Sequence, residues 1–115
     1  MSTEEACFSA FEQAISQKSW VIVPLWKPQF LHYKHQIREL LEPKGLLGGM
    51  DKAVLLLRDD KKALFTSAQL ELLNRCYFSN DIIAALDYQV SRENKPIDEV
   101  TKLWLAQNKA ELNQF

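Results

Sequence analysis

All three glycines of this 115-residue chain fall within five positions, at Gly45, Gly48 and Gly49, just after Pro43. Glycine reaches backbone conformations closed to other residues, and proline fixes its own φ, so Pro43–Gly49 reads as a turn or crossing segment. It separates two stretches of different character. Before it, Phe8, Phe11 and Ile15 mark one face of a first helix, with Ser2 and Glu5 at capping-box spacing. The run Trp20-Val21-Ile22-Val23-Pro24-Leu25 is short, β-branched and nearly all apolar, as a buried strand would be, with Pro24 at its end. A second helix is expected from Pro28 to Leu41.

After the crossing, Ala53-Val54-Leu55-Leu56-Leu57 predicts a second strand, ended by the charged cluster Arg58 to Lys62. The rest is helical. Thr66 and Gln69 form a capping box, with Phe65 and Leu70 placed for a hydrophobic staple. Ser79 caps a helix carrying Ile82, Ile83, Leu86 and Val90, with Phe78 and Ile83 as its staple pair. Pro96 suits the first turn of a last helix through Ile97, Val100, Leu103 and Trp104. Helices dominate, with two short strands.

Composition excludes more than it selects. Fourteen basic against fifteen acidic residues leave no basic excess of the kind a nucleic-acid module shows. No run approaches the ~18 apolar residues of a membrane helix, and Met1-Ser2-Thr3-Glu4-Glu5 lacks the layout of a signal peptide. Cys7 and Cys76 have no metal-like spacing and read as free buried thiols, or as a disulfide if the compartment is oxidising. There is no phosphate loop, no Cys-x-x-Cys and no nucleophile–base pair, so no catalytic residue and no cofactor is expected. His32 and His35 lie three apart but lack a second ligand pair, and read as surface histidines. Asp59-Asp60-Lys61-Lys62 reads as a solvated loop.

The segment Pro24-Leu25-Trp26-Lys27-Pro28-Gln29-Phe30 says more. A tryptophan just beyond a strand and before a helix-opening proline lies where α/β proteins place ligands. Its ring face would attract a cation, and a quaternary ammonium suits such a cage because it carries no donor for a carboxylate. The plainer reading of Trp26 is core packing, and both stay open. Trp20 and Trp104 read as packing residues.

In order and spacing, from about Ser9 to Asn108, the chain resembles the C-terminal stretch of the glycine betaine/choline/proline betaine-binding proteins of ABC transporters. The resemblance is carried by Val21-Ile22-Val23, Trp26-Lys27-Pro28, Glu42-Pro43-Lys44-Gly45, the segment Ala53 to Leu57 ending at Arg58, and Trp104 with Asn108. The family's motif Gly-Trp-x-Pro-His-Trp is altered here. Leu25 stands for its glycine, Gln29 for its histidine and Phe30 for its second tryptophan. Cage membership therefore carries over to Trp26 alone. Gln29 and Phe30 are positional candidates with changed chemistry, and Lys27 is placed to pair with a solute carboxylate, though an exposed lysine is the commoner outcome.

The resemblance implies an α/β, partial periplasmic-binding-protein-like (type II) fold. In it residues 1–42 would end one lobe, 43–52 would form the hinge, and 53–115 would supply a strand and C-terminal helices to the other lobe, the whole being one fragment domain. It implies solute binding for an ABC importer of glycine betaine or a related quaternary ammonium or amino compound. The work would be osmoprotective transport with an ABC permease as partner, periplasmic or extracytoplasmic in the full-length parent. A ligand-free regulatory or protein-interaction module on the same fold is the alternative. Two short strands with open edges also predict either a larger parent protein or a homo-dimer of the isolated chain.

Overall fold

The computed structural model describes residues 3–113, with side chains described as far as Lys109. Helix α1 (Glu4–Ser16) starts at Thr3, whose hydroxyl accepts the Ala6 N–H at 3.2 Å. Glu4 and Glu5 in the first turn suit the positive end of the helix dipole. Ser2, the expected cap, lies outside the described residues. At the other end Lys18 adopts a left-handed φ of 53°, and the Lys18 and Ser19 N–H groups return to the carbonyls of Ile15 and Ala14. This closure satisfies carbonyls that the helix leaves open. It also folds the chain over Ala14, which is buried with Phe8 and Phe11, while Ile15 remains exposed.

No strand forms among the described residues. The segment 20–26 nonetheless keeps the side-chain period of a strand. Val21, Val23 and Leu25 face inward and pack on the core, whereas Trp20, Ile22, Pro24 and Trp26 are exposed. A strand needs a ladder of backbone partners as well as an apolar face, and only the face is present. The expected packing role of Trp20 fails for the same reason: its ring lies on the outward side and is fully exposed. Ala53–Leu57, the other expected strand, is exposed throughout and has no ladder either.

The second helix is much shorter than expected. Helix α2 covers Phe30–Lys34, and His35 already has extended backbone, with φ −130° and ψ 147°. Helices of this length depend on a packed face, and the residues that would prolong the stripe, Leu40 and Leu41, have nothing described to pack against.

The crossing segment forms turns as expected. Gly45 and Gly48 take φ values of 65° and 81°, which only glycine adopts without strain. The Glu42 carboxylate organises the first turn by accepting the N–H groups of Lys44 and Leu46 at 2.8 and 2.6 Å. A 3-10 turn follows at Asp59–Leu64, where the charged cluster is exposed, as a solvated loop should be.

The C-terminal helices lie where their punctuation places them. Helix α3 (Ser67–Arg75) opens on a complete capping box: Thr66 Oγ1 accepts the Gln69 N–H, and Gln69 Oε1 accepts the Thr66 N–H at 2.8 Å. We expect Thr66→Ala to cost about 1 kcal/mol. The check is the midpoint of chemical denaturation; since α3 buries no residue, an unchanged midpoint would mean that it frays before the core unfolds. Helix α4 (Asn80–Ser91) is capped by Ser79, and helix α5 (Ile97–Asn113) begins directly after Pro96.

Phe8, Phe11, Phe30 and Leu31 make the core, with Val21, Val23, Leu25, Ile37 and Tyr88 packed around them. Helix α4 packs on both α2 and α5, so residues before and after the crossing share one packed unit. The radius of gyration is 18.2 Å, against about 13 Å for a compact domain of this length. The difference reflects residues 43–69, nearly all of which stand in solvent.

Candidate functional site

Helix α2 is held from outside itself. Its N-cap residue, Gln29, makes no side-chain cap, and the Phe30 N–H instead donates to Asp87 Oδ2 of α4 at 2.9 Å. At the C-cap of α4, the Arg92 guanidinium lies over the Phe30 ring, 4.0 Å from its centroid, and pairs with Glu5 at 3.7 Å. The α1–α2 contact adds the ion pair Lys34–Glu12 at 2.7 Å. Hydrogen bonding to Lys34, then its charge, holds the Glu12 carboxyl below its ordinary value despite partial burial. That stabilisation is present above the usual carboxylate range and fades as pH falls through the lowered pKa; both groups are about a third exposed, so it is small.

These constraints decide where the four expected ligand residues sit. Trp26 is 54% exposed, with its ring tilted against Phe8 at 6.3 Å between centroids. One edge is anchored and the remaining indole surface is open. Lys27 is half exposed and its Nζ lies 3.3 Å from Glu39. Gln29 and Phe30 are placed in the interior, 3% and 2% exposed. Phe30 meets Phe8 edge to face at 5.1 Å. Both the amide nitrogen and the amide oxygen of Gln29 are buried without a hydrogen-bond partner. The structure thus separates an accessible pair, Trp26 and Lys27, from a buried pair.

Beside Lys27, α2 and the start of α4 enclose an open cleft of about 530 Å³. Lys27, Pro28, His32, His35, Gln36 and Ile37 line one side, and Asn80 and Asp81 the other. The volume falls in the range of small-molecule sites. His32 and His35, expected as free surface residues, are half-buried in this wall, and each has a buried Nε2 without a partner. Burial is the main cause holding the His32 pKa below its ordinary value, and the Lys27 ammonium adds to it. The Trp26 carbonyl, as a hydrogen-bond acceptor, opposes both. Among the described residues no three His, Cys, Asp or Glu converge as metal ligands would. Cys7 and Cys76 are free and half-buried.

Sequence reasoning did not anticipate Asp87, Arg92 or Asp81. Each acts across a long separation that no local spacing encodes. The Trp104 and Asn108 pair has a local explanation: Asn108 Nδ2 donates to the Trp104 carbonyl one turn back at 2.8 Å, and the Trp104 ring packs on Phe78 at 5.3 Å. No helix among the described residues is long and apolar enough to cross a membrane.

A family model for the substrate binding domain of the ABC-type glycine betaine transport system matches residues 1–107. No curated protein and no solved structure matches the chain.

Proposed function

Since the chain belongs to the family of substrate binding domains of the ABC-type glycine betaine transport system, we propose that it binds a quaternary ammonium or related amino solute for an ABC importer. It would do so alone or as part of a larger extracytoplasmic binding protein. Membership implies a periplasmic-binding-protein-like fold, of which the described residues form helices and extended segments without a sheet. The observation that carries the proposal is Trp26. Its ring is braced by Phe8 on one edge and otherwise open, at the mouth of a segment that also presents Lys27. An aromatic face attracts a cation without needing a donor, while a lysine pairs with the carboxylate of a betaine.

In this reading no bond is made or broken. The work is closure around the solute and presentation of the closed form to a permease subunit. The segment 43–52, with two glycines at positive φ, is proposed as the crossing between a first part, 1–42, and a second, 53–115, which meet where α4 packs on α2. Gln29 and Phe30 would support the site from beneath instead of touching solute.

We expect Trp26→Ala to weaken glycine betaine, choline or proline betaine by about 0.5–2 kcal/mol in calorimetric titrations, with Trp26→Phe keeping part of the affinity. Equal affinity in the parent chain and Trp26→Ala would remove Trp26 from the site. A second reading, a module that keeps the fold but has lost the ligand, is favoured by the interior placement of Gln29 and Phe30. Absence of binding by all three solutes would establish it. The expected homo-dimer rested on open strand edges, and with no strand among the described residues that argument lapses.

A further inference from the structure

Two runs of this chain carry apolar side chains on backbone that has no ladder. Among the described residues, neither 20–26 nor 53–57 makes a backbone–backbone hydrogen bond. Water satisfies such backbone groups, but it also covers the side chains, which is unfavourable. Trp20 and Ile22 on the first run and Val54, Leu55 and Leu56 on the second are all two-thirds exposed or more.

The two runs are complementary. Pro24 has no N–H to offer, and its carbonyl faces α1, where Cys7 Sγ lies 3.8 Å away. Backbone groups of successive residues in an extended chain point to opposite edges, so Val21, Val23 and Leu25 present theirs away from α1. Set antiparallel with Val23 opposite Leu55, the runs match from end to end. Val21, Val23 and Leu25 pair with Leu57, Leu55 and Ala53, and Ile22 pairs with Leu56. Trp20, whose ring is fully exposed, meets Arg58. Just beyond that end, Lys18 meets the Asp60 carboxylate, which already holds Arg58. A slip by one residue sets Lys52 opposite Leu25 or Arg58 opposite Val21, so the flanking charges fix the register.

Within one chain these runs do not pair, whereas a second copy brings each of them to the other. We propose that two copies of this chain associate by reciprocal strand addition, residues 53–58 of each pairing antiparallel with 20–25 of the other. A two-fold axis makes the ladder twice, and each hydrogen-bonded pair exchanges two backbone bonds. No strand has to be formed beforehand, because addition of the second chain supplies the missing ladder. The ladder stops before Trp26 and leaves its ring to the proposed solute.

Sedimentation velocity of the 115-residue chain over a concentration series is expected to show a monomer–dimer equilibrium. Leu55→Pro removes a ladder N–H at an exposed position while keeping the residue apolar. It should raise the dimer dissociation constant by at least about tenfold and leave the thermal midpoint of the dilute monomer unchanged. Partner and register are read by oxidising an equimolar mixture of Ile22→Cys and Leu56→Cys chains, because a non-hydrogen-bonded antiparallel pair lies within disulfide reach. A disulfide between positions 22 and 56, identified by peptide mass in the dimer, is the expected result. A chain that stays monomeric at every concentration would overturn the proposal, as would assemblies that grow without limit or a dimer indifferent to Leu55→Pro. A 22–56 link that forms within monomers of the double variant, but not between the mixed single variants, would overturn it as well, since the chain would then pair with itself.

Discussion

Phe30→Ala is expected to destabilise the chain by about 3–5 kcal/mol, the range for removing a buried aromatic ring from a packed core. The ring is 2% exposed, meets Phe8 edge to face and carries the Arg92 guanidinium on its face. Truncation would open a cavity and leave Arg92, whose Nε is already unpartnered, without its ring face. From sequence the same residue was a positional candidate for touching ligand, with chemistry changed from the family's second tryptophan. The two roles separate experimentally: a core role lowers the denaturation midpoint without ligand present, whereas a cage role alone would leave it unchanged. A loss below about 1 kcal/mol would mean that α1, α2 and α4 are held together elsewhere.

Gln29→Met should act in the opposite direction and stabilise the chain by about 1–3 kcal/mol, because a buried amide whose two ends lack partners is replaced by an apolar group of similar length. Gln29 is 3% exposed and both amide atoms are unpaired, so little hydrogen bonding is lost. Chemical denaturation measures the gain. If Gln29→Met instead lowers stability, the amide has partners in solution, and water held between α2 and the cleft is the first candidate. If it raises stability while weakening solute binding, the unmet polarity at Gln29 serves the site, as residues near binding sites often sacrifice stability for function.

Local chemistry determined much of this protein before any folding. The capping box at Thr66 and Gln69, the cap at Ser79, the start of α5 after Pro96 and the glycine turns at Gly45 and Gly48 all lie where the sequence predicts. Each depends on residues within one turn of one another, so a single chain pattern suffices. The altered motif around Trp26 was legible in the same way, as was the family to which residues 1–107 belong.

Other features required the tertiary structure. Apolar, β-branched runs at 20–25 and 53–57 carry the propensity of strands, but a ladder is a relation between segments, and none is formed among the described residues. Helix α2 stops at Lys34 because packing, not periodicity, decides how far an apolar stripe stays helical. Most of all, the site was apportioned by contacts across the chain. Asp87 of α4 and its C-cap Arg92 draw Phe30 into the interior, while Trp26, on the outward register of the preceding segment, keeps a free face. Sequence named the four neighbours Trp26, Lys27, Gln29 and Phe30. Only the packing of α4 on α2 decided which of them solvent, and therefore a solute, can reach.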